Sequence, residues 1–151
     1  LTPVDEFWMR RALEVARAGE RSGEVPVGAV ILDWEGQVLA EAANAPIRMA
    51  DPSAHAEMLA IREAAQKLGG YRLEGTTIYC TLEPCPMCAG LLVNARVKRL
   101  VFGARDLRFG GVRSKFAIAD SEVLNHSVEV TEGVLGAECT EILVEFFKMR
   151  R

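Results

Sequence analysis

Two short stretches of this 151-residue chain carry residue types that could do chemistry together: "HAE" at His55-Ala56-Glu57 and "PCPMC" from Pro84 to Cys88. Cys85 and Cys88 stand at the i, i+3 spacing that puts two side chains on one helix face, one turn apart. Pro84 suits the residue just before such a helix, whose N-terminal end carries partial positive charge and favours thiolates. Two sulfur donors at this spacing select zinc. His55, at the start of another helix, can reach the same point and supplies a third ligand. Zinc takes four, so a water can occupy the last position, as catalytic sites require. Glu57 lies two residues on, and in a first helical turn its carboxylate can converge with His55 beyond the helix end. Beside a bound water it would accept a proton and hand protons on to a substrate.

The competing arrangement is a closed structural site with Cys80 as fourth ligand. In "TTIYCT", however, Cys80 shares a strand face with Ile78, which favours core packing as a small apolar residue. Cys139 belongs to the apolar stripe of a closing helix. His126, in the polar stretch "LNHS", suits a loop or capping role. An isolated Cys-x-x-Cys is a weak signal. His-x-Glu followed by Pro-Cys-x-x-Cys, with each half opening a helix, is a strong one and matches the signature of zinc-dependent nucleobase deaminases.

The elements that must position these residues are legible in outline. Thr2, Pro3 and Asp5 suggest a capped helix over residues 3–20, with Val4, Trp8, Ala12 and Val15 as its apolar stripe and an end near Gly23. "VPVGAVIL" is apolar on both alternating sets, as a buried central strand would be. "DWEG" turns it, and "QVLAEAA" returns as a hairpin partner that delivers Asn44 to its end. "APIRMADPS" reads as a proline-broken loop. "AHAEMLAIREAAQKLGG" reads as a helix with Met58, Ile61 and Ala65 on its apolar stripe, ended by Gly69-Gly70. "TTIYCT", "CPMCAGLLVNA" and "VKRLVFGA" form a strand, a helix and a strand, and therefore a parallel βαβ unit. "SVEVT" is a last strand, and Leu135, Cys139, Ile142, Phe146 and Met149 mark the closing helix. The fold class expected is α/β: a three-layer α/β/α sandwich with a mixed five-stranded sheet, one domain over residues 1–151.

Half of the residues are apolar and the formal charge is −3. Taken alone, that charge argues against a nucleic-acid partner. It conceals an asymmetry: from Arg96 to Lys115 seven Lys or Arg face the single Asp106, and the chain ends in "FFKMRR". Such a run is usually a solvated face, and a phosphate-contacting strip is the competing reading. No apolar run has the ~18 residues of a membrane helix. The N-terminus lacks the layout of a secretion signal, so a cytoplasmic location with reduced thiols is expected.

The metal motif resembles that of the cytidine deaminase-like superfamily. The wider text, "EVPVGAV", "DPSAHAEMLAIREA", "YCTLEPCPMCAGLL", "VFGARD", "LNHSVEVTEGVL" and "EFFKMRR", is similar to the bacterial tRNA-specific adenosine deaminases over nearly the whole chain. The resemblance implies hydrolytic deamination of adenosine to inosine at the wobble position of a tRNA anticodon. It implies a zinc-activated water attacking C6 and a homodimer with one Zn2+ per subunit. It assigns zinc to His55, Cys85 and Cys88 and the proton shuttle to Glu57. Asn44 would hydrogen-bond the flipped-out base, and the backbone around Ala56 and Pro84 would line the pocket. Asp106, with its neighbour Arg105, matches a position that contacts the sugar-phosphate of the anticodon stem-loop. Phe147, followed by Lys148, Arg150 and Arg151, matches the closing helix that helps to hold the loop, with Phe146 in the core. "AGLLVNARV" would be the dimer contact.

Ala43 and Ala45, the weakly polar "IRMA" and Arg113 depart from the family pattern, which touches the choice of RNA and leaves the metal set whole. The start at Leu1 and the end at Arg151 suggest further terminal residues. A deaminase of free guanine or cytidine shares the motif but has no use for the basic 96–115 segment. A version redirected to DNA is disfavoured by the intact Asp106. A zinc-stabilised binding module without activity would be indifferent to Glu57→Gln.

Overall fold

The computed structural model describes residues 2–150. Leu1 and Arg151, the last of the basic residues counted at the C-terminus, lie outside the described residues. In chain order the elements are α1 (Pro3–Glu20), β1 (Gly28–Leu32), β2 (Val38–Ala43), α2 (Pro46–Met49), α3 (Ala56–Leu68), β3 (Thr77–Leu82), α4 (Pro86–Asn94), β4 (Arg99–Ala104), β5 (Glu129–Glu132) and α5 (Gly136–Lys148). The five strands form one sheet in the order β2-β1-β3-β4-β5. β1 runs antiparallel to both neighbours, pairing Ala29 with Ala42 on one side and with Cys80 on the other. β3–β4 and β4–β5 are parallel, as the βαβ reading required.

β1 is buried at every position because alternate side chains serve two cores. Ala29 and Ile31, with Ile78, Cys80, Leu100 and Phe102, pack against α3 and α4. Val30 and Leu32, with Tyr79 and Val101, pack against α1 and α5. The result is the expected three-layer sandwich. Gly28 permits the close approach of α1 to β1, since a Cβ there would lie 2.1 Å from the Ala12 carbonyl oxygen.

Both long N-terminal helices are rotated relative to the expected stripe. In α1 the buried set is Asp5, Met9, Ala12, Leu13 and Ala16, while Val4 is 60 % exposed. Asp5 is drawn inward by Arg99, whose two guanidinium nitrogens donate to its carboxylate at 2.9 and 2.8 Å, and by the Tyr79 hydroxyl at 2.8 Å. In α3 the buried set is Ala56, Glu57, Ala60, Ile61 and Ala64, with Met58 and Ala65 only half-buried. Here too the rotation carries an acid inward.

The structure departs from the expected pattern at three further points. Cys85, not Pro84, is the residue before α4, and Pro86 opens the helix. Part of the "APIRMADPS" loop is a helical turn, α2, held because Glu24 accepts the Ile47 and Arg48 N–H groups at 3.2 and 2.7 Å. Met149 is 80 % exposed rather than on the buried face of α5, which comprises Cys139, Ile142 and Phe146. No helix among the described residues is long and apolar enough to cross a membrane.

Candidate metal centre and substrate cavity

His55 and Cys85 occupy the residues that precede α3 and α4, and Cys88 follows in the first turn of α4. Two helix N-termini, each with a positive end, therefore converge on one point. His55 Nδ1 lies 3.5 Å from Cys85 Sγ and 3.6 Å from Cys88 Sγ. A tetrahedral zinc with bonds of about 2.0 Å to nitrogen and about 2.3 Å to sulfur holds such donors roughly 3.6 Å apart. The donor set and its spacing thus fit zinc. Among the described residues the cluster contains these three groups and no fourth. Cys80 instead packs in the core on the α3/α4 side of the sheet, fully buried, and burial pushes its thiol well up from the usual range. All four cysteines are free.

The charge distribution is ready for a cation. The Cys85 thiol is lowered to about 4 by the hydrogen bond from Cys88, against burial and with help from His55. Cys88 moves the other way, because it donates that hydrogen bond and is buried. His55 is raised, chiefly by its contact with Cys85. His55, Cys85 and Cys88 would hold a divalent metal with the remaining thiol proton given up on binding. Glu57 is 4 % exposed, and its carboxyl is raised to about 7, above all by burial. A carboxyl in that range can both take and give a proton near neutral pH.

Next to the cluster lies a cavity of about 520 Å³ whose wall includes Val25, Val27 and Leu82 together with Asn44, His55, Glu57, Cys85, Asp106 and Phe109. Apolar sides with a few convergent polar groups suit a planar heterocycle. Asn44 sits at the end of β2, and its Oδ1 accepts the Ala56 N–H at 2.9 Å. This bond satisfies one of the free donors at the start of α3 and leaves the amide nitrogen as the group Asn44 can offer a ligand. Ala56 is fully buried and its N–H is thereby taken. Pro84 is also buried, its carbonyl accepting the Gly111 N–H at 2.8 Å. Ala56 and Pro84 are not themselves on the cavity wall, but their chain neighbours His55, Glu57, Glu83 and Cys85 are.

The residues expected at the RNA divide between two places. Asp106 is on the cavity rim, and its Oδ1 accepts the Arg108 and Phe109 N–H groups at 3.1 Å each. Arg105 and Phe147 instead line a neighbouring groove of about 730 Å³ with Arg108, Lys148 and Arg150. Phe147 is 51 % exposed, while Phe146 is buried with the Arg150 guanidinium 3.9 Å above its ring. Arg105 forks onto Glu132 at 2.7 and 3.1 Å. Two more of the seven cations of the basic segment are paired within the chain: Arg99 with Asp5 and Arg113 with Asp120. His126 contacts the Val97 carbonyl at 2.7 Å, the loop role expected of it.

The apolar wall residues Val25, Val27, Leu82 and Phe109 and one buried acid of the site are not singled out by the sequence pattern. Glu83, on the cavity wall and 2 % exposed, carries a carboxyl that burial would raise. Ser114, Arg113 and Asp106 donate to it and bring it below its usual value. The available signal was an acid at the end of a strand otherwise rich in buried residues, directly before the first cysteine motif.

Residues 2–104 match the cytidine and deoxycytidylate deaminase zinc-binding region. The chain is 48 % identical over 147 residues to a tRNA-specific adenosine deaminase of Haemophilus influenzae, covering 97 % of this chain and 85 % of that one. It is 46 % identical to a protein of the same description from Bacillus subtilis, with 97 % and 91 % covered. This chain belongs to the tRNA-specific adenosine deaminase family. Among solved structures, one from work on A-to-I editing by tRNA deaminases at the wobble position superposes with a TM-score of 0.85 at 40 % identity, covering 89 % of this chain and 97 % of that chain. A guanine deaminase from Nitrosomonas europaea superposes with a TM-score of 0.82 at 25 % identity, with 96 % and 84 % covered. The fold is thus the cytidine deaminase-like one, and the adenosine deaminase family is zinc-dependent, which accords with the three-donor cluster.

Proposed function

We propose that residues 1–151 form a single zinc-dependent domain that converts adenosine to inosine at the wobble position of a tRNA anticodon. The observation that carries this is the convergence of Glu57 and a three-donor cluster on one partly apolar cavity, with a basic, aromatic groove beside it. The similarity to tRNA-specific adenosine deaminases adds to it. Bound zinc would supply the Lewis acidity that makes water a nucleophile near neutral pH.

The chain's own residues do the rest. His55, Cys85 and Cys88 hold the ion. The Asn44 amide nitrogen donates to an acceptor on the base and fixes its orientation. Glu57 takes a proton from the water that adds to C6 and gives it to the ring nitrogen, then carries the remaining hydroxyl proton to the amino group, so ammonia leaves and inosine remains. Adenine must stand outside any stack for this, and an anticodon loop offers it at low unstacking cost. Asp106, Arg105 and Phe147 contact the flanking nucleotides.

A homodimer acting in the cytoplasm completes the proposal. Ala89, Leu92, Val93, Ala95 and Val97 are buried in the subunit's own core, so the half-buried Gly90, Leu91 and Arg96 and the exposed Asn94 are left at the proposed contact around α4. Light scattering at working concentration should give twice the chain mass.

The second reading, a free-guanine deaminase, is favoured by the likeness to the Nitrosomonas protein. It gives no role to the groove of Arg105, Arg108, Phe147, Lys148 and Arg150. Incubation with total tRNA, with free guanine and with free adenosine separates the two. Inosine at an anticodon first position, read by sequencing, is expected; turnover of guanine alone would reject the RNA-directed activity.

A further inference from the structure

Glu83 stands where the metal-bearing turn meets the loop that walls the cavity, and five donors of that loop converge on its carboxylate. Oε1 accepts the Asp106 N–H at 3.0 Å and the Ser114 hydroxyl. Oε2 accepts the N–H groups of Val112, Arg113 and Ser114 at 3.1, 2.7 and 3.0 Å. Two glycines permit the approach. A Cβ on Gly110 would lie 2.3 Å from Glu83 Oε2, and one on Gly111 would lie 2.8 Å from the Cys85 carbonyl carbon. The Gly111 N–H also donates to the Pro84 carbonyl at 2.8 Å. The loop is therefore laid directly on the backbone that carries the two metal-binding cysteines.

This loop has two working sides. Asp106 and Phe109 face the cavity, and Arg105 and Arg108 face the basic groove along α5. We propose that Glu83 is a positioning residue for substrate: it holds residues 106–114 in the one register that lets the cavity rim and the basic groove engage the same RNA. This rests on the adenosine deaminase activity proposed above. Glu83 need not touch the base. Its carboxylate acts through the backbone, which is why a pattern of RNA-facing side chains does not contain it.

The amide of Glu83→Gln makes a selective test. An amide has one acceptor oxygen and one donor nitrogen. With the nitrogen in the place of Oε2, three N–H groups would face a donor. With the nitrogen in the place of Oε1, only the Asp106 N–H does, because the Ser114 hydroxyl can turn to accept. The second orientation costs less, so Glu83→Gln keeps Val112, Arg113 and Ser114 anchored and releases Asp106.

The measurement is kcat and KM for inosine formation on an anticodon stem-loop, with bound zinc assayed in parallel. A lost charged hydrogen bond corresponds to about tenfold or more. Glu83→Gln is expected to raise KM by roughly that factor, to leave kcat within a factor of about three, and to keep its zinc. In an Asp106→Ala background the same substitution should cost much less, since both changes remove one interaction.

A KM that does not change, or an equal penalty in both backgrounds, would overturn the positioning role and leave Glu83 as a structural acid. Should Glu83→Gln not fold, Ser114→Ala removes one donor only and is expected to raise KM less, in the same direction; an unchanged KM there also overturns it. Activity of the unsubstituted protein separates the two claims: unsubstituted protein that makes no inosine defeats the deaminase assignment and this role with it, whereas an active one with unaffected variants defeats this role alone.

Discussion

The metal cluster and the wall of residues 105–114 face the same cavity but are built on different principles. His55, Cys85 and Cys88 are fixed by two helix starts that pack on the sheet, so their geometry follows from the regular part of the fold. The wall has no strand or helix of its own. It takes its shape from one buried acid, Glu83, and from glycines that allow close packing. Chemistry is thereby placed on rigid elements and recognition on an anchored loop, and the two should fail separately.

The largest effect belongs to the cluster. His55→Ala, or exhaustive chelation of the native protein, should abolish both bound zinc and inosine formation, and zinc restored to the chelated protein should bring activity back. Activity that persists without metal would break the contrast at its root. Stability should respond most to a residue remote from both regions. Asp5 is 1 % exposed and paired with Arg99 at 2.8 Å, so Asp5→Asn strands a charge and should cost about 3 kcal/mol in denaturant unfolding at neutral pH.

The pH dependence sharpens this. The hydrogen bond from Arg99 holds the Asp5 carboxyl below its ordinary 3.8. Its contribution is therefore present above the unfolded value and is lost as pH falls through the folded one. The stability difference between Asp5→Asn and the unsubstituted protein should be full at pH 6 and should shrink below about pH 3.8.

The groove should show smaller, graded effects. Phe147→Ala removes a half-exposed ring from the proposed RNA path, and a stacking loss of about 1–3 kcal/mol corresponds to a KM raised roughly 5- to 150-fold with kcat little changed. Arg105→Ala should do less, because Arg105 already forks onto Glu132 and must exchange that partner for phosphate. Its signature is a flatter dependence of RNA affinity on salt. A substitution in the groove that lowers kcat with KM fixed would blur the division between the two regions.

The same division explains what the sequence disclosed. The donor set, the hairpin, the βαβ unit and the closing helix follow from spacing and apolar periodicity, which are local. The one-residue rotations of α1 and α3 do not. Each is set by an acid turned inward, Asp5 onto Arg99 and Glu57 toward the cluster, and periodicity counts acids as outward-facing. Glu24 and Glu83 were missed for the same reason: their partners are backbone N–H groups far along the chain, which no side-chain pattern records. The seven cations between Arg96 and Lys115 read as a surface strip, whereas Arg99 is committed to the buried Asp5 and Arg113 to the half-buried Asp120.

The most direct test concerns Glu57, whose carboxyl is raised to about 7 by burial beside the cluster. Glu57→Gln and the unsubstituted protein should be compared on one anticodon stem-loop with zinc content measured on the same samples. Proton transfer by such a group contributes about 10²–10⁴-fold. The variant is expected to bind zinc and RNA as before and to lose inosine formation by at least about a hundredfold. A zinc-loaded Glu57→Gln protein that deaminates at the unsubstituted rate would contradict the catalytic assignment.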